Sequence, residues 1–183
     1  MSKENADKEQ KRSFKREVFS WIACIVVTIL LTEFILNFVI INANIPSGSM
    51  ENTIMTNDKL IALRTSYWFN DPKRGDIIIF KYPDDETEWF IKRVIALPGE
   101  TVLVKDGKVY INGSKKALSE PYIKEEPVED FGPYKVPKNG YFVMGDNRNN
   151  SNDAREWETH YVSRDEILGK AWFRYYPSIK AIK

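Results

Sequence analysis

The 183-residue sequence contains little cysteine, little histidine and almost no excess charge of either sign. Its single cysteine, Cys24, lies inside an apolar run and can form no intrachain disulfide, so a folded domain must depend on its own hydrophobic core. The formal net charge of +1 gives no reason to expect nucleic acid or an acidic partner. With one histidine present, a Ser-His-Asp relay would have to use His160, oriented by an acid such as Asp153.

The sequence does contain one long apolar run, residues 18–41. This run has no Lys or Arg and a single acid, Glu33. As a helix the run would be about 36 Å long, enough to cross a hydrocarbon core of about 30 Å. The alternative is a cleaved signal peptide, whose apolar core is usually about 7 to 15 residues long and ends at small residues. Residues 41–44 fit such a cleavage site poorly, so we predict an uncleaved transmembrane anchor. Glu33 and Asn37 would share one face of that anchor, because they are four residues apart.

Lysine and arginine are distributed unevenly around this run. Residues 42–57 contain neither residue type. The positive-inside rule therefore predicts that residues 1–17 form a cytoplasmic tail, without regular structure, and that residues 42–183 form an extracytoplasmic domain. The cations that precede the run are Lys3, Lys8, Lys11, Arg12, Lys15 and Arg16.

Short β-prone runs separated by turn residues recur through residues 42–183. Residues 77–80 form an apolar run typical of a buried strand, and Asp106-Gly107 between alternating apolar residues favours a type I′ hairpin turn. Residues 119–137 contain four prolines and are predicted to be a surface excursion. The fold class expected is mainly β: an antiparallel sheet or barrel-like catalytic domain with one N-terminal transmembrane helix.

Two serines follow the apolar run in the segment Pro46-Ser47-Gly48-Ser49-Met50. On an extended backbone Ser47 and Ser49 would leave the same face, and Gly48 would leave room for an approaching peptide. This arrangement suits a nucleophile, although an ordinary linker turn has the same composition. A serine hydroxyl also needs a neighbouring base before it can attack.

Lys92 is the alternative to His160 as that base. On a strand, Phe90, Lys92 and Val94 share one face, so apolar neighbours could keep water away from the amine. A lysine with a pKa of about 10.4 is almost entirely charged at neutral pH, and burial can lower that pKa by several units. The plainer interpretation is a lysine whose stem covers apolar surface while its amine reaches solvent.

Four separated motifs, taken together and in this order, resemble those of bacterial type I signal peptidases of the Gram-positive type. The motifs are residues 46–50, 74–80, 91–99 and 145–155, and the resemblance covers the anchor and nearly all of the remaining chain. It implies a membrane-anchored, β-rich serine protease with a Ser/Lys dyad that needs no cofactor and no metal. The sequence departs from the family pattern at Asn52, where proline is usual, and at Ala96, where glycine is usual. Neither position carries chemistry.

The same resemblance implies a role for each matched residue. Ser49 matches the nucleophile and Lys92 the general base. The hydroxyl of Ser47, with the backbone N–H of Ser49, matches the oxyanion hole, and Ser151 matches a residue that hydrogen-bonds to the lysine and orients it. Two ion pairs match residues that structure the site: Asp153 with Arg155, and Arg93 with Asp146.

The activity implied is cleavage of N-terminal signal peptides from exported preproteins, after small residues such as Ala-x-Ala, at the outer face of the cytoplasmic membrane. The expected partners are these signal peptides and the lipid bilayer, with the secretion translocon as a further candidate and no nucleic acid. A catalytically silent, membrane-anchored binding homologue is the main alternative, and it would tend to lack Ser49 or Lys92. A LexA-like self-cleaving protein would need an Ala-Gly bond and a penicillin-interacting enzyme a Ser-x-x-Lys motif, and the sequence contains neither.

Overall fold

The computed structural model describes residues 3–182, with side chains described for residue 12 and residues 14–182, and it divides into two compact units at Val39/Ile40. The first unit is helix α1, Lys3–Phe34, followed by a π-helical turn, Ile35–Val39. Its segment Phe14–Val39 has a mean hydropathy of 2.4 and is long and apolar enough to cross a membrane. The helix begins at Lys3, although no regular structure was expected before residue 18, because the polar segment is rich in Lys, Glu and Gln, which are strong helix formers.

The apolar helix ends at Val39, two residues before the predicted end of the anchor. Ile40 and Ile41 instead begin strand β1, where they pair with Leu63 and Ala62 of β2. β-branched residues fit a pleated, half-buried surface well, and the pairing with β2 decides their conformation. The last two residues of the apolar run therefore belong to the sheet.

The second unit is built from antiparallel strands, with two short 3-10 turns at Arg64–Tyr67 and Arg164–Glu166. Eight strands form one sheet, in the order β1-β2-β10-β3-β4-β8-β9 with β11 paired to β10, and β6-β5-β7 form a second sheet. This confirms the predicted fold class, mainly β with one N-terminal apolar helix. The strands are β1 Ile40–Asn44, β2 Lys59–Leu63, β3 Ile77–Tyr82, β4 Asp85–Ala96, β5 Thr101–Lys105, β6 Lys108–Ile111, β7 Phe131–Lys135, β8 Gly140–Met144, β9 Val162–Ser163, β10 Ile167–Tyr176 and β11 Lys180–Ala181.

Alternation along β3 divides the hydrophobic core into two clusters. Ile78 and Phe80 pack into one cluster, whereas Ile77 and Ile79 pack into the other. Both faces of this strand are buried, as the continuous apolar run predicts. The predicted hairpin is also present, between β5 and β6, with positive φ angles of 51° at Asp106 and 74° at Gly107 that suit a type I′ turn.

Candidate active site

Ser49 and Lys92 lie side by side. Lys92 Nζ is 2.7 Å from Ser49 Oγ, and the two residues are only 4% and 7% exposed. Ser49 lies in the turn that follows β1, and Lys92 lies on β4. A hydroxyl and an amine at this distance can exchange a proton directly.

The backbone of Ser49 is held from two sides. The next residue, Met50, is fully buried in the cluster that also contains Ile54, so the turn is anchored by apolar packing. On the other side, the backbone N–H of Asn147 donates to the Ser49 carbonyl at 3.1 Å, and Asn147 Nδ2 donates to the Gly48 carbonyl at 3.0 Å. Asn147 was not singled out as a site residue from the sequence, although it lies within the 145–155 motif.

The amine of Lys92 lies beside one member of an aromatic cluster. The centre of the Phe90 ring is 5.4 Å from Nζ, and Tyr82 stacks on Phe90 with ring centres 4.5 Å apart. Trp157 packs edge-on against Tyr82, with ring centres 5.4 Å apart. Burial among these groups lowers the pKa of Lys92 from 10.5 to about 8, and the negative charge of Asp153 partly opposes that change. The alternation predicted from sequence therefore gives the desolvation that a lysine base requires.

Two hydrogen-bond donors lie close to the Ser49 hydroxyl. Ser47 Oγ is 3.5 Å from Ser49 Oγ, and the backbone N–H of Ser49 donates to no group within residues 3–182. Both serines border a cavity of about 540 Å³. Its lining comes from residues 45–49, residues 88–92, Asn150 and Asn152.

The pair Arg93 and Asp146 joins three parts of the site. Arg93 Nε donates to Asp146 Oδ1 at 2.8 Å and Nη2 to Oδ2 at 2.7 Å, with both side chains almost fully buried. Thr53, in the turn of residues 47–54 that contains Ser49 and is called the nucleophile turn below, donates its hydroxyl to the same carboxylate at 2.5 Å. One bidentate ion pair therefore holds β4, this turn and the 145–155 loop together.

A second ion pair closes the 145–155 loop on itself. Arg155 Nε lies 2.8 Å from Asp153 Oδ1, and Asp153 Oδ2 accepts the backbone N–H of Gly145 at 2.9 Å. Arg155 Nη2 also donates to the carbonyl of Arg148 at 2.6 Å. The Asp153–Arg155 pair therefore stabilises the loop that supports the Ser49 backbone.

Ser151 lies within the site, but its Oγ forms no hydrogen bond with any residue among residues 3–182, although the side chain is buried. The expected hydrogen bond to Lys92 is therefore not present in this structure. Ser151 packs closely against Gly145: a Cβ added at Gly145 would be 2.6 Å from Ser151 Cβ and would also contact the Ser49 carbonyl oxygen. Its role in orienting the lysine remains a prediction.

His160 is occupied by other contacts. Its Nδ1 lies 2.8 Å from the carbonyl oxygen of Ala154, and its ring packs edge-on against Phe131 and Tyr134 at 5.2 and 5.4 Å. Of the two bases considered from the sequence, Lys92 is the one in contact with the Ser49 hydroxyl. Within the described side chains, no group of three or more His, Cys, Asp or Glu residues could hold a metal ion.

Comparison with known proteins identifies one family. The family model described as signal peptidase, peptidase S26, matches residues 18–176. The signal peptidase I of Leptolyngbya laminosa is 46% identical over 164 residues, covering 85% of this chain and 78% of the relative. The signal peptidase I S of Bacillus subtilis is 34% identical over 181 residues, covering 93% of this chain and 95% of the relative. A crystal structure of a signal peptidase I from Enterococcus faecalis is 35% identical, with a TM-score of 0.48, covering 55% of this chain and 97% of that chain.

Proposed function

The chain belongs to the signal peptidase family, peptidase S26, and from that premise we propose that it is a membrane-anchored serine endopeptidase that removes signal peptides from exported preproteins. Ser49 is the nucleophile in this proposal and Lys92 the general base. The observation that carries it is the 2.7 Å contact between Ser49 Oγ and an amine that is almost fully buried. Since both reactive residues are present, a catalytically silent homologue has nothing in its favour.

The lowered pKa of Lys92 makes the amine usable as a base near neutrality. At pH 7 a lysine with a pKa of about 8 is neutral in about one molecule in ten, compared with about one in three thousand at a pKa of 10.5. The neutral amine accepts the Ser49 proton as Oγ attacks the scissile carbonyl, and the resulting ammonium returns that proton to the leaving amine. Water then attacks the acyl-enzyme ester and gives a proton to Lys92, which passes it to Ser49 Oγ as the ester bond breaks.

The developing oxyanion needs donors, and the Ser47 hydroxyl and the backbone N–H of Ser49, which donates to no other group among the described residues, supply them. One such donor typically lowers the barrier by about 3 to 4 kcal/mol. Because the Ser47 hydroxyl belongs to the same short segment as the nucleophile, the backbone of residues 47–49 determines the positions of both hydroxyl groups. The donor acts on charge that develops in the transition state, so Ser47→Ala is expected to lower kcat and to change KM much less.

An extended substrate has an open strand edge to bind. Residues 85–92 of β4 pair with β3 on one side, and pairing with β8 on the other side begins only at Arg93. An extended peptide can hydrogen-bond to such an edge, with its side chains directed alternately into the cavity beside residues 45–49. By family resemblance the preferred peptide carries small residues, as in Ala-x-Ala, before the scissile bond.

Anchoring and orientation follow from the helix and its flanks. Segment Phe14–Val39 crosses the cell membrane once, and the cations of residues 3–16 keep the N-terminus in the cytoplasm. The catalytic unit is then extracytoplasmic, where exported preproteins emerge from the secretion translocon. Signal peptides and the lipid bilayer are the partners this arrangement requires.

The test is cleavage of a purified preprotein by the full chain and three variants. Ser49→Ala and Lys92→Ala are expected to abolish cleavage while remaining folded, because each removes one member of the dyad. His160→Ala is the matched control and is expected to cleave at close to the parent rate. Cleavage by the parent should also rise with pH through a midpoint near 8, where Lys92 loses its proton. Loss of cleavage in the histidine variant alone, with a folded protein, would contradict the assignment of Lys92.

A further inference from the structure

Residues 120–124, which we call the strap, contact each of the three elements that hold the dyad. They lie in the proline-containing excursion between β6 and β7 and have no regular secondary structure. An excursion of this kind is usually exposed and variable in position. The strap instead forms hydrogen bonds and ring contacts with the 145–155 loop, with β4 and with the nucleophile turn.

Glu120 fixes the loop through Arg148. Arg148 Nη1 and Nη2 donate to the two oxygens of the Glu120 carboxylate at 3.0 and 2.6 Å, in a fork geometry with Arg148 fully buried and Glu120 6% exposed. Arg148 Nε donates to the carbonyl of Gly145 at 3.0 Å, so the guanidinium links the strap to the start of the loop. Buried, bidentate pairs of this kind are directional and strong because water does not compete.

Tyr122 fixes β4 through Arg93. The Arg93 guanidinium lies over the Tyr122 ring, 3.9 Å from its centre, and Arg93 directly follows Lys92 on the strand. The Tyr122 hydroxyl donates to Glu120 Oε1 at 3.0 Å, so the two strap side chains support each other. The Tyr122 ring therefore stabilises Arg93, the residue next to the proposed general base on β4.

The strap backbone completes the link to the nucleophile turn. Asn52 Nδ2 donates to the carbonyl of Tyr122 at 2.9 Å, and Asn52 lies three residues after Ser49. The backbone N–H of Lys124 donates to the carbonyl of Asp146 at 3.0 Å. The strap thus bridges the elements that carry Ser49, Lys92 and Asp146, while the residues that line the substrate cavity come from other parts of the chain.

We propose that Glu120 and Tyr122 are positioning residues that hold Ser49 Oγ and Lys92 Nζ in contact, acting through Arg148 and Arg93. The inference rests on the proposed function, because it concerns the geometry of that dyad. Neither residue contacts the cavity, so their effect falls on the chemical step and not on substrate binding. Displacing reacting groups by about 1 Å can lower a rate about 100-fold.

The experiment measures kcat, KM and the pH dependence of preprotein cleavage for the full chain, Glu120→Gln and Tyr122→Phe. Glu120→Gln leaves Arg148 without its charged partner, and kcat is expected to fall about 10- to 100-fold with KM within about 2-fold. Tyr122→Phe keeps the ring under Arg93 and removes the hydroxyl, so a smaller fall is expected. In both variants the low-pH limb of the plot of kcat against pH should move to higher pH. A loosened dyad admits water to the Lys92 amine, so the pKa of Lys92 rises towards 10.5. Glu129→Gln, which changes an exposed carboxylate of the same excursion, is the matched control and should match the parent.

Several results would overturn the inference. A merely structural strap would lower kcat in proportion to the folded fraction at every pH and leave the midpoint unchanged. Folded variants with parental kcat would exclude any positioning role. If both variants fail to fold by circular dichroism, the strap is a folding element and the inference is wrong. An inactive parent chain would instead refute the proposed function itself, and the inference with it.

Discussion

The amine of Lys92 is buried in surroundings that favour its neutral form, and this has a consequence for stability as well as for catalysis. Burial lowers its pKa to about 8 in the folded protein, from 10.5 in solvent. The unfolded chain therefore binds this proton more tightly, and the free energy of unfolding rises with pH between about 8 and 10.5. Below pH 8 the folded protein bears the full cost of burying the charged amine. The difference between the folded and unfolded pKa values of Lys92 corresponds to about 3 kcal/mol.

Lys92→Met should show this cost directly. Methionine has a similar length and no charge, so at pH 7 we expect the free energy of unfolding to increase by about 2 to 3 kcal/mol while cleavage is lost. The gain should shrink as the pH rises from 8 towards 10.5, because the amine of the folded parent is then neutral and burying it no longer costs the removal of a proton. Urea unfolding of the two proteins at pH 7 and pH 10 measures it, with Lys105→Met, an exposed lysine on β5, as the control. A loss of stability at pH 7 would show that the amine is well solvated in the folded state.

For single residues, the sequence predicts which face of a strand a side chain lies on better than it predicts individual hydrogen bonds. Strand alternation places Phe90 beside Lys92 and directs Arg93 to the opposite side, and the structure agrees. The hydrogen bond expected between Ser151 and Lys92 is absent among the described residues, and Ser151 instead packs closely against Gly145, six residues away. Such packing is decided by the tertiary fold, and no local pattern contains it.

At the scale of elements, the sequence likewise predicts the local conformation of the strap but not its contacts. Four prolines predict a surface excursion without a helix or a central strand in residues 119–137, and the structure has neither there, although residues 131–135 form β7 at the edge of the second sheet. They do not predict that Glu120 and Tyr122 turn inward, because Arg148 and Arg93 lie 28 and 29 residues away along the chain. A buried carboxylate in a polar, irregular segment becomes recognisable only when its arginine partner is in place.

The 145–155 loop supports the Ser49 backbone by close approach, and Gly145 makes that approach possible. A Cβ at this position would overlap Ser151 Oγ and the Ser49 carbonyl oxygen. Gly145→Ala should therefore displace the loop from Ser49 and lower kcat about 100-fold, because the backbone that presents Oγ moves. Overpacking of this kind should also destabilise the fold by about 1 to 3 kcal/mol.

Gly113→Ala is the control for that substitution. Gly113 has a positive φ of 69°, and a Cβ there meets no atom within 4 Å, so only backbone strain of about 1 kcal/mol is expected. Steady-state cleavage and thermal unfolding of both variants separate the two effects. Equal kcat values in the two alanine variants would mean that the loop does not need its close contact with the Ser49 backbone.

For the whole molecule, the boundary between the two units falls inside a continuous apolar run. Hydropathy alone extends the run to Ile41, whereas pairing with β2 assigns Ile40 and Ile41 to the sheet. Apolar β-branched residues suit both a membrane helix and a buried strand, so composition cannot locate the junction. The position of the junction determines where the catalytic unit can be separated from the anchor.

Two truncations that differ by five residues test this junction. A chain starting at Ile40 keeps β1, with Ile41 and Ile45 in the core at 4% and 3% exposure, and it should fold and cleave a short soluble peptide at the parental kcat. Its rate on a preprotein in lipid vesicles should fall, because the anchor no longer concentrates enzyme and substrate in one bilayer. A chain starting at Ile45 loses β1 and the buried Ile41, a loss of about 3 kcal/mol or more from apolar burial and strand pairing. Thermal unfolding should separate the two chains clearly, and equal stability would place the true start of the catalytic unit after β1.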